Sequence, residues 1–189
     1  SFFCFPHSFE WRGDPVLAGG GVLLEHAYHL MDQFIWNIGA PERVYCLQTS
    51  KCSKRSLPPY RTEDTVVLSM KFPEGVMANL LASWTTAPER ERILIHATNG
   101  SIETNTNLIR LFDIDGNVTK EETFNVDESW LVNQQLRHFA DSIFDPEIKP
   151  LSTAKEHLIN VAAIESAYLS ARTQMPEDLK LYGPALDIK

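Results

Sequence analysis

The sequence is poor in features that would place it in several large classes. It holds three cysteines, Cys4, Cys46 and Cys52, an odd number without metal-ligand spacing. That excludes a disulfide framework or a cysteine-built zinc site and suits a reduced, cytoplasmic protein. No apolar run approaches the length of a membrane span. The apolar first residues lack the basic stretch of a signal peptide. Positive charge is scarce: 17 Lys and Arg stand against 25 Asp and Glu, a net charge of −8. No basic run offsets it, which argues against a nucleic-acid groove or an anionic membrane surface. There is no repeat, no low-complexity tract and no internal domain boundary, so one domain over 1–189 is expected. An initiator Met is also absent, and Ser1 leads straight into an apolar stretch, which suits a piece of a longer protein.

What is present reads as a segregated order of elements. Phe2 to Phe9 is apolar and aromatic and predicts a strand. A helix is expected from the glycines at Gly19 to about Ile38, closed by Gly39 with Pro41 beyond. Strands come next at Glu42–Cys52, Thr65–Phe72 and Val76–Thr86, the last two joined by Pro73-Glu74-Gly75. Two more pairs surround Asn99-Gly100 and Asp115-Gly116, both strong hairpin signals. Two helices close the chain. One is capped by Ser129, with Val132, Leu136, Phe139 and Ile143 as its stripe. The other opens at the Thr153/Glu156 pair and runs to about Gln174, with a mostly apolar side through Leu158, Val161, Ala162, Glu165, Tyr168, Leu169 and Arg172. This order predicts an α+β fold, one large and mostly antiparallel sheet with helices packed on one face. The other face would carry Val66, Leu68, Met70, Leu81 and Ser83, and a partner subunit would cover it.

The chemistry-bearing stretch is Ala18-Gly19-Gly20-Gly21 running into an amphipathic helix. Leu23, Ala27, Leu30, Met31, Phe34 and Ile38 form its apolar face. Glu25, His29 and Asp32 stand at i, i+4 and i+7 along one edge, with His26 turned about 100° away toward solvent. A carboxylate one turn from an imidazole can hold its tautomer, which a base acting on an alcohol needs. Glycines suit a helix entrance that something approaches closely. The structural alternative for His29 is a helix histidine bonded to Glu25, and for Glu25 a surface partner. Asp32 is expected to tie down a neighbouring loop or amide. Trp84 and Trp130 read as core.

Gly-Gly-Gly, three residues, an acid, three residues, His, two residues, Asp resembles the signature of the C-terminal domain of the glucose–fructose oxidoreductase / inositol dehydrogenase (Gfo/Idh/MocA) family. Trp11-Arg12-Gly13-Asp14-Pro15, Glu63-Asp64, Asn79 to Trp84, Ala97 to Ser101 and Ala163 to Arg172 extend the resemblance over nearly the whole chain. The acid is Glu25 where the family usually has Asp, one methylene longer. The resemblance implies the substrate domain of an NAD(P)-dependent oxidoreductase that moves a hydride to or from a sugar, cyclitol or similar hydroxy compound. His29 matches the catalytic histidine and Glu25 the acid. His7 matches a pocket position, with a strand-end surface histidine as its alternative. Arg12 could reach a substrate oxygen or cofactor phosphate, or pair with Asp14 or Glu10.

The NAD or NADP site would lie mainly in a Rossmann domain absent from this chain. No G-x-G-x-x-G stands after a strand here, and Leu24 occupies the place where a third glycine would be needed. The expected partners are a small-molecule substrate and further copies of the chain, as a homodimer or tetramer through the open sheet face. No metal is expected, because His26 and His29 give only two ligands on one helix. A non-catalytic binding or oligomerisation module on the same fold is the alternative function.

Overall fold

A computed structural model describes residues 11–50, 61–86 and 91–179. The expected first strand, Phe2 to Phe9, lies outside the described residues. In chain order the elements are α1 (Pro15–Ala18), a π-helical turn (Leu23–Ala27), α2 (Tyr28–Ile38), β1 (Arg43–Thr49), β2 (Thr65–Lys71) and β3 (Met77–Ser83). They continue with β4 (Ile93–Ala97), β5 (Gly100–Asn105), β6 (Leu108–Phe112), β7 (Val118–Thr123), α3 (Glu128–Phe144), α4 (Ala154–Thr173) and β8 (Glu177–Asp178). The chain divides into two compact units, Ser1–Glu89 with Ala154–Lys189, and Arg90–Thr153.

The first unit is a four-stranded antiparallel sheet, order β3-β2-β1-β8, with α2 and α4 against one face. Strand side chains alternate between faces, and β2 buries every second residue. Val66, Leu68 and Met70 therefore point at the helices, beside Val44 and Cys46 of β1 and Leu80 and Ala82 of β3. Leu23, Ala27 and Met31 close this core from the helix side. Gly39 ends α2 at φ +96°, its N–H donating to the Ile35 carbonyl.

The face of α4 that meets the sheet is only partly the expected one: Ala162 is buried and Tyr168 packs against the core. Leu158 and Val161 are half-exposed, while Ala163, Ala167 and Ser170 are buried. Small residues let the helix come so close that Ser170 Oγ accepts a bond from the Cys46 N–H at 3.0 Å. The same hydroxyl donates to the Met175 carbonyl at 2.6 Å.

The second unit is an antiparallel meander, β4-β5-β6-β7. One of its three turns is Thr106-Asn107, and the other two fall at Asn99-Gly100 and Asp115-Gly116. In the latter, Asp113 Oδ1 accepts bonds from the Asp115 and Asn117 amides. The N-cap of α3 is Asp127, whose carboxylate accepts from Trp130 N–H, and not Ser129.

The α+β class and the antiparallel pairing are as the pattern predicts. The strands are shared between two four-stranded sheets where one large sheet is expected from sequence. No two-residue turn signal joins β3 to β4, so nothing local pairs them. Val66, Leu68 and Met70 face the helices, and Ser83 is buried. Leu81 stands on the open face as expected, in one row with Leu47 and Val67 across β1, β2 and β3. Each of the three is about half-exposed. Trp84 is buried as expected, whereas Trp130 is 57% exposed and not core.

Candidate active site

Segment 61–64, just before β2, builds the helix entrance. Arg61 N–H donates to the Gly13 carbonyl, and Arg61 Nη2 pairs with Asp14 at 2.6 Å. Thr62 Oγ1 donates to the Arg12 carbonyl at 2.8 Å. Asp14 in turn caps α1 by accepting from the Val16 N–H. The loop carrying Arg12 is thus stitched to the strand lead-in along its length.

Glu63 is the hub. It is 6% exposed, and its Oε1 accepts bonds from Gly21 N–H (2.8 Å), Leu23 N–H (3.1 Å) and the Tyr168 hydroxyl (2.9 Å). Its carbonyl accepts from the Val22 N–H. The first amides of a helix have no partner within it, and a carboxylate suits that positive end. Here the cap comes from another part of the chain. Burial, and after it the Glu63 charge, raises the ionisation point of the Tyr168 hydroxyl.

The glycines answer to this packing. A Cβ on Gly21 would lie 2.0 Å from the Glu63 carbonyl oxygen, and one on Gly20 would lie 2.0 Å from the Tyr168 hydroxyl oxygen. The close approach expected at this corner is made by the protein itself. The signal in the sequence is only an acid before a strand, 42 positions from its partner.

Beyond the corner, Leu23–Ala27 forms a π-helical turn before α2 begins. One extra residue in a turn rotates the segment on its N-terminal side by about 100° relative to the helix on its C-terminal side. His26, expected toward solvent, faces Trp84 instead, and Trp84 Nε1–H donates to His26 Nδ1 at 3.1 Å. Burial is the main cause that lowers the His26 pKa. Glu25 opposes it, and His29 and Arg12 reinforce it.

The candidate residues divide between the corner, the helix edge and the undescribed start of the chain. Arg12 Nε lies 2.6 Å from Glu25 Oε1. Its guanidinium also sits 4.6 Å above the Trp11 ring. Arg12 and Glu25 are therefore brought together, and Asp14 takes Arg61 rather than Arg12. His29 is exposed, with its ring edge-on to Tyr28. Asp32 Oδ1 accepts from Asn160 Nδ2 on α4, so it ties the two helices together. Asn160 Nδ2 and the Tyr28 hydroxyl both reach His157 Nδ1 at 3.0 Å. His7 lies outside the described residues.

The corner does not fit a dinucleotide. The glycines come after a short helix rather than a strand, and the space above Gly20 and Gly21 is filled by Tyr168 and Glu63. Among the described residues, no group of three His, Cys, Asp or Glu could hold a metal ion. No helix among them is long and apolar enough to cross a membrane.

An antiparallel sheet with α2 and α4 on one face, entered through a glycine corner, defines the class as an α+β domain. Residues 1–103 match the GFO/IDH/MocA C-terminal domain, and the chain belongs to that family. A 1,5-anhydro-D-fructose reductase of Ensifer adhaerens is 30% identical over 99 residues, 51% of this chain and 28% of that protein. The fold is shared with an aldose–aldose oxidoreductase from Caulobacter crescentus at TM-score 0.74 and 20% identity, over 94% of this chain and 52% of that one. A levoglucosan dehydrogenase in complex with NADH and levoglucosan gives TM-score 0.77 at 19% identity, over 92% and 55%. The chain spans about half the length of these solved structures and 28% of the reductase.

Proposed function

We propose that this chain is the substrate domain of an NAD(P)-dependent oxidoreductase acting on a sugar, cyclitol or similar hydroxy compound. The observation that carries the reading is the exposed His29 on the helix leaving the glycine corner, in a chain of this family. A neutral imidazole open to solvent can take the hydroxyl proton as the alcohol is oxidised and return it on reduction. Glu25, in the π-helical turn just before α2, is held by Arg12. Arg12 and His7 are the proposed contacts to substrate oxygens. The nicotinamide, bound mainly by a domain outside this chain, takes or supplies the hydride. The protein is proposed to be cytoplasmic and to assemble as a homodimer or tetramer through the open sheet face.

The test is H29A in the protein carrying its cofactor domain. General acid–base catalysis is worth about 10²–10⁴-fold, so kcat should fall by at least about 10²-fold with no loss of folding. An unchanged kcat would refute the assignment. The isolated 189-residue chain is expected to show no turnover with NAD(P)H and polyols. One observation favours the second reading, a binding or oligomerisation module. The Glu25 carboxylate is engaged by Arg12 at 2.6 Å, which competes with any role toward His29.

A further inference from the structure

On the helix side of the sheet, a cleft of about 280 Å³ opens at the end of β1. Gln48, Thr49, Arg61, Glu63, Tyr168 and the backbone of Gly20 line it, and Glu25 and His29 are not among its described walls. Its volume sits at the small end of ligand sites. Its side-chain walls are mostly hydrogen-bonding groups, with Pro15 the main apolar one.

Two of those groups are left with capacity. Glu63 places three bonds on Oε1. Its Oε2 has no partner among the described residues, although the residue is 6% exposed. Glu63 Oε2 is not among the fully buried atoms that lack a partner, so it remains open to solvent on the cleft side. Arg61 uses Nη2 for Asp14, and its remaining guanidinium N–H groups have no partner among the described residues.

The cleft therefore offers a lone acceptor with negative charge and a set of donors with positive charge. Glu63 disfavours an anion, and Arg61 disfavours a cation. A neutral molecule that both donates and accepts satisfies both, and hydroxyl groups do so. We propose that this cleft binds a small neutral polyol, one hydroxyl donating to Glu63 Oε2 and a neighbouring one accepting from Arg61. Gln48 adds a further hydrogen-bonding position. The site does not depend on the proposed reaction, because its test needs no turnover.

The test is amide-resolved NMR of the whole chain titrated with erythritol, with putrescine and inorganic phosphate as charged controls. Erythritol should give saturable shifts confined to Gly19, Gly20, Thr49, Thr62 and Glu63. E63Q should weaken binding at least fivefold. Q48W, which fills the cleft from an exposed position, should abolish it and serves where E63Q fails to fold. Shifts that stay linear in erythritol, or that persist in Q48W, would overturn the proposal. So would saturation by putrescine or phosphate in place of erythritol.

Discussion

Replacing Glu63 by alanine would leave the Gly21 and Leu23 amides and the Tyr168 hydroxyl without their acceptor. A buried donor that loses its partner costs about 1–3 kcal/mol. E63A is thus expected to lose roughly 2–4 kcal/mol in urea unfolding, and E63Q, which keeps an oxygen acceptor, less. A loss below about 1 kcal/mol would remove Glu63 from its place as hub. His26 gives a pH signature. Its pKa is lowered in the fold, so near and below pH 6.5 the unfolded chain holds more protons than the folded one. Its contribution is complete above the unfolded value of about 6.5 and is lost as pH falls from there through the lower folded pKa. Melting temperatures between pH 7.5 and 5 should fall, and His26→Gln should flatten part of that slope. Cys46 is buried, and burial with the Glu63 charge pushes its thiol up to about 12. Site-resolved mass spectrometry after iodoacetamide at pH 8 should find it unmodified until the protein is unfolded.

At the scale of elements, α2 is anchored to α4 by polar contacts from Tyr28 and Asp32 as well as by its apolar face. Asp32 accepts from Asn160 at 2.5 Å, across to a residue of α4 that is itself buried. Asp32→Ala should cost about 1–3 kcal/mol in the same unfolding experiment, and a neutral result would mean water replaces the carboxylate. This contact marks how far the sequence can be read. The apolar spacing of Leu23, Ala27 and Met31, the stop at Gly39 and the two hairpin turns are legible because each depends on neighbours within a few positions. The π-helical turn is not, since it arises with the Glu63 cap, which local periodicity does not register. The buried side of α4 is hidden for a related reason. Ala163, Ala167 and Ser170 sit inward because β1 comes close, so smallness outranks hydrophobicity. Glu25 and His29 stand out by spacing, while the Arg12–Glu25 pair depends on a loop held from segment 61–64.

For the whole molecule, the row Leu47, Val67 and Leu81 is the surface that assembly would use. Val67→Glu with Leu81→Glu should yield a smaller particle by light scattering with unchanged far-ultraviolet dichroism. A parent protein that is already monomeric would end the oligomer proposal. The order of the chain carries one more consequence. The unit containing β1, β2 and β3 is interrupted by Arg90–Thr153 and completed only by α4 and β8. On the ribosome, Val44, Val66 and Leu68 must wait on the order of ten seconds for the helix that covers them. During that interval a half-sheet with an apolar side stands open, so the nascent chain, rather than the finished one, is where chaperones have most to hold.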